Sequence, residues 1–388
     1  MSAILPVYRR SSITISRGEG VYLFSPDGKR YLDFAAGIAV NSLGHCHPHV
    51  TQALKDQADV LWHCSNMYQM PGLTRMAERL AAASFADKIF FCNSGGEAVE
   101  TGLKMIRKYH DANGKPERFR TITMKNGFHG RTLTCISAGG NEIARKGYEP
   151  LVDGFDAVEF NNLDAVRAAI GSETAAILVE PIQGEGGIHE ATHEFLQGLR
   201  HICDEHGLLL FVDEVQCGMG RTGSLFAYEH AGITPDIVST AKGIGNGFPL
   251  AACMTTDKVA ACMEPGTHGS TYGANPLAMA VGNAVLDVML APEFFEHVQH
   301  VGSLLKTGLQ ETAQRFPHIF SEVRGMGLIL GMGMEKPAME LVEKLRTHGL
   351  LTTAAVGNTL RITPPLIIGE EHVVEALQII NTSCEEWV

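Results

Sequence analysis

The chain of 388 residues lacks any apolar run close to the length of a membrane span, which is about 18 residues. Its first ten residues, MSAILPVYRR, hold only a short apolar stretch, and the arginines follow that stretch instead of preceding it. A secretory signal has the opposite order and a longer apolar core. We therefore expect neither a membrane protein nor a signal peptide.

Positive charge is also scarce. The chain has 31 Lys+Arg against 43 Asp+Glu, which is a formal net charge of −12. Binding to nucleic acid needs a basic surface that displaces counterions from the phosphates. The charge balance therefore excludes nucleic acid as the main partner.

The nine cysteines form no CxxC pair, and their number is odd. That pattern is typical of reduced thiols in a cytoplasmic protein. The run His45-Cys46-His47-Pro48-His49 resembles a metal site. However, adjacent side chains of one segment cannot all face one ion, and the spacing fits no zinc pattern. We predict no metal site, and we expect His47-Pro48 to begin a helix.

Glycine and alternating secondary structure are abundant by contrast. Glycine accounts for 42 residues, about 11% against a usual level of roughly 7%, so many sites allow sharp turns or close approach of a ligand. Short β-branched or apolar runs alternate with helical stretches such as Glu97–His110 and Glu194–His206. The candidate strands are Lys88–Cys92, Arg120–Met124, Ala175–Glu180, Leu208–Asp213, Asp236–Thr240 and Leu250–Met254. This order predicts an α/β fold with a mostly parallel sheet.

The two ends of the chain have a different pattern. Near the start, Ser25-Pro26-Asp27-Gly28 separates VYLF from YLDF, which predicts a hairpin. After about residue 290, helices alternate with the strand-like stretches VRGMGLILGM and LRITPP. We predict a large domain over residues 46–290 and a small α+β domain over 291–388, with residues 1–45 packing against the small domain.

The segment Asn93-Ser94-Gly95-Gly96-Glu97 follows one predicted strand and opens a predicted helix. Ser94 is a good N-cap with Glu97 as its capping-box partner. The segment fits either a plain capped turn or an anion site, because glycines and the helix dipole both favour a phosphate. It is neither GxxxxGK[ST] nor GxGxxG, so a nucleotide loop is not indicated.

Two ionisable residues lie at or just after the carboxyl ends of apolar strands, where parallel sheets bind ligands. Asp213 could hold Mg²⁺ or pair with a cationic ring nitrogen, and the lack of a P-loop disfavours Mg²⁺. Lys242 lies in a glycine-rich loop between two apolar strands. A lysine in such a loop is commonly solvated, but a desolvated lysine has a lowered pKa and can form a Schiff base.

Arginines near an aromatic residue form the last candidate group. Phe128 and Arg131 lie in FHGRT. This segment is either a plain polar loop or part of a binding site, in which the aromatic face suits a flat ring and the guanidinium suits a carboxylate. Arg361 is a second isolated arginine, in LRITPP.

Together these motifs resemble the class III aminotransferases, a subgroup of the fold-type I pyridoxal-phosphate enzymes. The resemblance covers nearly the whole chain, and FHGRT, EPIQGEGG, VDEVQCGMGRTG and GSTYGANPLA are similar to the enzymes that act on N2-acetylornithine. It implies a large domain with a mostly parallel seven-stranded sheet, a smaller α+β domain, and transamination between N2-acetylornithine and 2-oxoglutarate.

The resemblance also implies roles around a pyridoxal 5′-phosphate cofactor. Lys242 would bind its aldehyde covalently and later move a proton. Asp213 would pair with the protonated pyridine nitrogen, which keeps the ring an electron sink. Phe128 would stack on the ring, Gln216 would contact the region of its phenolic oxygen, and Val215 would belong to the same site.

The phosphate would lie at the start of the helix. Ser94, Gly95 and Gly96 would hold it, and Gly96, where relatives more often have Thr or Ala, could contribute only backbone. Thr271 would reach the phosphate of a neighbouring subunit's cofactor, with Ser270 near the substrate. A homodimer with shared active sites follows from this assignment.

Three charged residues would handle the two substrates. Arg131 would bind the α-carboxylate of acetylornithine, and Arg361 would bind the α-carboxylate of glutamate or 2-oxoglutarate. Glu185 would neutralise Arg361 when the amino donor has no carboxylate near the reacting carbon.

Other readings stay open at this point. Related enzymes act on succinylornithine, ornithine, 4-aminobutyrate or N-succinyl-diaminopimelate intermediates, and enzymes of the ornithine type more often have FWGRT where this chain has FHGRT. A non-catalytic sheet protein or a nucleotide-binding ATPase is the alternative from another class.

Overall fold

A computed structural model describes residues 3–387 of the chain. The strands are β1 (Arg17–Glu19), β2 (Tyr22–Phe24), β3 (Arg30–Asp33), β4 (Lys88–Cys92), β5 (Arg120–Met124), β6 (Phe155–Val158), β7 (Thr174–Val179), β8 (Ile182–Gln183), β9 (His189–Glu190), β10 (Leu209–Asp213), β11 (Ile237–Thr240), β12 (Ala251–Thr255), β13 (Phe320–Met326), β14 (Ile329–Met334), β15 (Leu350–Leu351), β16 (Thr353–Ala355) and β17 (Thr359–Ile362).

The helices are α1 (Ala36–Ala39), α2 (Pro48–Ala58), α3 (Pro71–Ala82), α4 (Gly95–Ala112), α5 (Leu133–Ala138), α6 (Glu142–Arg145), α7 (Leu163–Ala168), α8 (His193–His206), α9 (Asp257–Ala260), α10 (Pro276–Met289), α11 (Phe294–Arg315), α12 (Ala338–Thr347) and α13 (Glu370–Glu385). Short 3₁₀ helices cover Ala227–Ala231 and Lys242–Ile244. His47-Pro48 starts α2 as expected, with Pro48 at the first helical position.

A seven-stranded sheet in the order β4-β12-β11-β10-β7-β5-β6 forms the centre of the molecule. The pairs from β11 through to β6 are parallel, whereas β12 is antiparallel to both of its neighbours. The mostly parallel sheet is therefore confirmed. Every residue of β7 and of β10 is buried, as expected for strands covered by helices on both faces.

All six candidate strands form, with their ends within one residue of the predicted positions. The seventh strand, β6, was not predicted. It lies at the sheet edge, its residues are only partly buried, and it therefore lacks the continuous apolar run of the central strands.

Helix α4 packs closely on the sheet behind the strand that ends at Asp213. Its buried face includes Val99, Leu103 and Ile106. A Cβ on Gly102 would overlap the Phe211 ring of β10, so only glycine lets this helix lie so close. This packing fixes where the N-terminus of α4 lies relative to the end of β10.

The two ends of the chain come together. β15, from the C-terminal part, pairs in parallel with β3 in the sheet β1-β2-β3-β15. A separate sheet has the order β13-β14-β17-β16. This pairing supports the grouping of residues 1–45 with the small domain, whose limits stay a prediction.

The stretch VRGMGLILGM differs from the expected single strand, because it folds as the hairpin β13–β14. Met326 pairs with Ile329 across a two-residue turn, and Gly327 in that turn has φ of 56°. A two-residue hairpin turn needs positive φ, and glycine adopts this conformation without strain.

Within residues 3–387, no single helix has both the length and the apolar character to cross a membrane. One bent pair, α10 with α11 at 71°, meets those criteria only when the two helices are taken together.

Candidate active site

A cavity of about 700 Å³ opens where the carboxyl ends of β5, β10 and β11 meet the N-terminus of α4. Most of the residues predicted for the cofactor line it. The predicted residues in its lining are Ser94, Gly95, Gly96, Phe128, Arg131, Asp213, Val215 and Lys242. The parallel sheet thus brings together side chains that are up to 148 positions apart in sequence.

One end of the cavity is the N-terminus of α4. The Ser94 hydroxyl accepts a hydrogen bond from the Glu97 N–H at 3.3 Å, and the Glu97 carboxylate accepts one from the Asn93 N–H at 2.6 Å. The predicted capping is confirmed, although Glu97 reaches the residue before the cap. The N–H groups of Gly95 and Gly96 have no acceptor inside the helix, so this end attracts an anion. A Cβ on Gly95 would lie 2.8 Å from Val215 Cγ1, which excludes larger residues.

Asp213 lies at the centre of the cavity floor and is 3% exposed. Its Oδ1 accepts hydrogen bonds from the Ser239 hydroxyl and the Val215 N–H, both at 3.0 Å, and its Oδ2 lies 2.8 Å from His129 Nδ1. Burial by itself would lower the pKa of His129, but the hydrogen bond and charge of Asp213 outweigh burial and raise it. A protonated His129 places a positive charge next to the Asp213 carboxylate.

The residues that hold Asp213 were not predicted. Ser239 is its direct neighbour across the β10–β11 pairing, which only the strand register shows. His129 lies within FHGRT, so the motif indicated that it belongs to the site. The sequence did not predict that His129 contacts Asp213. The Nε2 of His129 is buried without a hydrogen-bond partner among the described residues.

Lys242 follows β11 and begins a 3₁₀ turn with φ of 49°, an uncommon conformation for a residue with a side chain. Its side chain is half-buried and lines the cavity. Burial lowers the pKa of Lys242 to about 8, against the opposing charge of Glu185. A larger fraction of this amine than of an ordinary lysine is therefore neutral, and thus nucleophilic, near neutral pH.

Arg361, Glu185 and Gln216 form a cluster beside this cavity. Arg361 is 1% exposed, and its Nη1 pairs with Glu185 Oε1. Gln216 Nε2 also donates to Glu185 Oε1 at 3.2 Å, and Arg361 Nε donates to Thr353 Oγ1 at 3.0 Å. Burial by itself would raise the pKa of Glu185, but Arg361 lowers it overall. Arg361 is therefore neutralised by a carboxylate in this structure. Thr353 was not predicted.

Arg131 is exposed at the cavity, with its guanidinium carbon 5.2 Å from the centre of the Phe128 ring. It makes no ion pair with any residue between 3 and 387. It is thus a free cation beside an aromatic face, in contrast to the paired Arg361.

Ser270 and Thr271 line a second cavity, of about 400 Å³, which shares Asn93 with the first. Asn93 Nδ2 donates to Ser270 Oγ at 3.2 Å, whereas Thr271 is exposed. Ser270 is therefore linked to the start of α4, and Thr271 does not contact the first cavity of its own chain.

Glu180 is the last unpredicted residue of the site. It follows β7 and is 6% exposed. Its Oε1 accepts from the Phe128 N–H at 2.8 Å, and its Oε2 accepts from the Gly184 N–H at 3.4 Å. Burial raises the pKa of Glu180 to about 7, against the opposing effect of His129. Glu180 is the first residue of EPIQGEGG. Its place in that motif is the only sequence signal that could have identified it as a site residue.

Pyridoxal phosphate, the cofactor implied by the resemblance, suits these residues. A helix N-terminus lies at one end for a phosphate, Phe128 offers an aromatic face, the buried Asp213 carboxylate can accept a hydrogen bond from a protonated ring nitrogen, and Lys242 offers an amine for an aldehyde. The cavity of about 700 Å³ is within the usual range for small-molecule sites.

Comparison with known proteins agrees with this reading. Residues 6–383 match the family model described as aminotransferase class-III. An acetylornithine aminotransferase of Agrobacterium fabrum is 53% identical over 380 residues, covering 98% of this chain and 95% of that protein. One of Neisseria meningitidis serogroup B is 44% identical and covers 99% of this chain and 97% of that protein.

Solved structures give the same family. N-acetylornithine aminotransferase of Stenotrophomonas maltophilia K279a is 36% identical with a TM-score of 0.86, covering 98% of this chain and 97% of that one. Ornithine aminotransferase of Toxoplasma gondii ME49 is 31% identical with a TM-score of 0.95, covering 99% of this chain and 93% of that one.

Proposed function

The chain belongs to the class III aminotransferase family, and from this we propose that it transfers the δ-amino group of N2-acetyl-L-ornithine to 2-oxoglutarate. The products are N-acetyl-L-glutamate 5-semialdehyde and L-glutamate, a step of arginine biosynthesis. The cofactor is pyridoxal 5′-phosphate.

The observation that carries the proposal is the contrast between the two arginines at the site. Arg131 is exposed and unpaired among the described residues, whereas Arg361 is buried and paired with Glu185. A substrate with a carboxylate far from its reacting amine needs one free cation at a distance and none beside the reacting carbon. Acetylornithine has this arrangement.

The second substrate needs the opposite arrangement. Glutamate and 2-oxoglutarate have a carboxylate on the reacting carbon, which requires Arg361 to be free of Glu185. Movement of Glu185 away from Arg361 supplies that state, and Arg131 is then available for the distal carboxylate. The two substrates react in turn, in a ping-pong cycle.

The residues of this chain have separate tasks in the reaction. Bound pyridoxal phosphate supplies an electron sink that stabilises negative charge on the substrate carbon. Asp213, whose carboxylate is hydrogen-bonded to His129, would keep a proton on the pyridine nitrogen. Phe128 and Val215 would confine the ring, and Gln216, which donates to Glu185, would lie beside it.

Lys242 provides the mobile base. Its Nζ would hold the cofactor between turnovers, and would then take the proton from the substrate carbon that carries the reacting amine. The pKa of about 8 suits both tasks, since the neutral amine is accessible near neutral pH. Ser94, Gly95 and Gly96 would hold the phosphate at the start of α4.

Ornithine is the main competing substrate, because the T. gondii ornithine aminotransferase has a TM-score of 0.95. Its sequence identity of 31% is well below the 53% of the A. fabrum acetylornithine aminotransferase. His129 of FHGRT, where ornithine-type enzymes more often have Trp, also favours acetylornithine.

Rates with acetylornithine, succinylornithine, ornithine and 4-aminobutyrate, each with 2-oxoglutarate, test the substrate. We expect kcat/KM to be highest for an N-acylated ornithine and lowest for 4-aminobutyrate, whose carboxylate lies one carbon closer to the reacting amine and so would reach Arg131 less well. A higher value for free ornithine would overturn the proposal. The Lys242→Ala variant is the inactive control.

We also propose a homodimer in which Thr271 of each subunit, beside Ser270, reaches the phosphate bound by the other. The exposed position of Thr271 outside its own chain's cavity supports this arrangement. A cytoplasmic location is supported by nine cysteines that are all free. The partners are otherwise small molecules, and neither nucleic acid nor membrane is expected.

A further inference from the structure

One buried carboxylate contacts both substrate-facing segments of the active site. Glu180 accepts hydrogen bonds from the Phe128 N–H at 2.8 Å and from the Gly184 N–H at 3.4 Å. Phe128 begins the segment that carries Arg131, and Gly184 directly precedes Glu185. The two segments follow different strands, β5 and β7, and Glu180 lies between them.

Backbone N–H groups, not cations, satisfy the Glu180 carboxylate. None of the described Lys, Arg or His side chains forms an ion pair with it, and His129, whose charge acts on its pKa, is hydrogen-bonded to Asp213 instead. A buried carboxylate that loses an N–H partner is left unsatisfied, which costs more than the bond itself contributes. Both segments are therefore firmly held at this point.

The position of Gly184 in turn determines that of the Glu185–Arg361 pair. Arg361 Nη1 lies 3.4 Å from Gly184 O, and the Val356 N–H donates to Glu185 O at 3.0 Å. A Cβ on Gly184 would overlap the Gln216 side chain, so this backbone has no free space. A shift of Gly184 must move Glu185 relative to Arg361.

We propose that Glu180 is a positioning residue that sets the distance between the Arg131 segment and the Glu185–Arg361 pair, and through it the balance between the two half-reactions. This inference rests on the proposed function. It needs one substrate that reacts while Glu185 is paired with Arg361 and another that reacts while the two are apart.

The Glu180→Gln variant should change that balance in a definite direction. Glutamine has one acceptor oxygen, which should keep the shorter bond to the Phe128 N–H. Its NH₂ group would then face the Gly184 N–H, donor against donor. Gly184 should move away, and the Glu185–Arg361 pair should loosen.

Acetylornithine should suffer most from this change, because it needs Arg361 neutralised. We expect its rate constant to fall about tenfold more than that of glutamate, the effect of one hydrogen bond to a charged group.

Glu214→Gln is the matched control. Glu214 is also a buried carboxylate, 1% exposed, whose pKa burial raises to about 7. It accepts from the Tyr228 N–H at 2.8 Å and does not line the active-site cavity. If replacing a buried carboxylate has a general effect on the protein, Glu214→Gln should show it. That effect should change the rates of both half-reactions by the same factor.

The experiment uses the holoenzyme at about pH 8, above the pKa of about 7 of Glu180. Each half-reaction is followed separately by rapid mixing and cofactor absorbance, with acetylornithine for one and glutamate for the other. A tenfold change in their ratio in Glu180→Gln, and none in Glu214→Gln, supports the inference. Equal changes in both half-reactions of Glu180→Gln overturn it.

Glu180→Asp keeps the inference testable if the glutamine variant does not fold. Aspartate keeps the charge but is one CH₂ shorter, so it cannot reach both N–H groups. We expect the ratio of the two half-reaction rates to shift in the same direction as in Glu180→Gln. A ratio equal to that of the wild type would overturn the inference, because it would show that only the charge of residue 180 matters. If the wild-type enzyme does not react with acetylornithine, the proposed function fails instead, independently of Glu180.

Discussion

Lys242 shows how burial alone prepares a side chain for chemistry. It is one of 31 basic residues, most of which lie in water. Its position after β11, between apolar strands, removes water from the amine and lowers its pKa from 10.5 to about 8. Nearby Glu185 and Asp213 act in the opposite direction, but they do not outweigh burial.

The pH dependence of cofactor capture tests this shift. Only the neutral amine attacks an aldehyde, so the rate at which apoenzyme binds pyridoxal phosphate covalently should rise with pH and level off above about 8. It is measured from the absorbance change after mixing apoenzyme with cofactor between about pH 6 and 10, a range that includes the ordinary pKa of lysine.

Glu185→Gln serves as the comparison for this measurement. The Glu185 carboxylate raises the pKa of Lys242, so its removal should move the midpoint to lower pH. A wild-type midpoint near the ordinary value of 10.5 would contradict the proposed environment of Lys242.

At the level of elements, the start of α4 combines a structural role with a binding role. Ser94 caps the helix by accepting from the Glu97 N–H, and the next two N–H groups face the cavity. Thr192 caps α8 in the same way, by accepting from the Phe195 N–H at 3.0 Å, but it lies outside the cavity. Both residues thus cap a helix, but only Ser94 lies at the cavity, where it can take part in binding.

Alanine at each cap should separate these roles. Ser94→Ala and Thr192→Ala should each lower the free energy of unfolding of the apoprotein by about 1 kcal/mol. Only Ser94→Ala should also weaken binding of pyridoxal phosphate. Thermal unfolding and a cofactor titration measure the two effects, and equal cofactor affinity in both variants would argue against a phosphate at α4.

At the level of the whole molecule, the segment between α2 and α3 exposes large apolar side chains, and one of its residues, His63, contacts the exposed Tyr272. Val60, Trp62, Met67, Tyr68 and Tyr272 are each more than 60% exposed. The Tyr272 ring lies 5.6 Å from the His63 ring, which joins this surface to the Ser270–Thr271 segment. Apolar groups gathered in this way are typical of a protein–protein interface, and we assign the patch to the proposed dimer contact.

Trp62→Glu tests that assignment. A charge placed in an apolar interface should weaken association, so sedimentation should show monomers. Activity should fall with the dimer fraction, because Thr271 of the partner would be missing. Val374→Glu is the control, since Val374 is also an exposed apolar residue, 53%, but lies on α13. Dimers of wild-type activity in Trp62→Glu would place the interface elsewhere.

The net charge of −12 also has meaning only for the whole molecule. The proposed ligands are anions, which the overall field does not favour. Their binding therefore depends on local groups, which are Arg131, Arg361 and the start of α4.

Much of the fold was predictable because buried parallel strands are continuous apolar runs, and helix caps have their own residue types. The end of β10 at Asp213 and the end of β11 at Thr240, two residues before Lys242, were found for this reason. The half-exposed β6 and the hairpin turn at Gly327 were missed, since neither has such a pattern.

The sequence by itself determined the family, the alternation of strands and helices, the capped start of α4 and the residue types of the site, because each depends on local pattern or on motifs. The tertiary structure decided which of these groups meet. It put His129 and Ser239 on Asp213, Glu185 on Arg361, and Glu180 between two segments. Those contacts join distant parts of the chain, and they depend on strand order and register, which no local pattern contains.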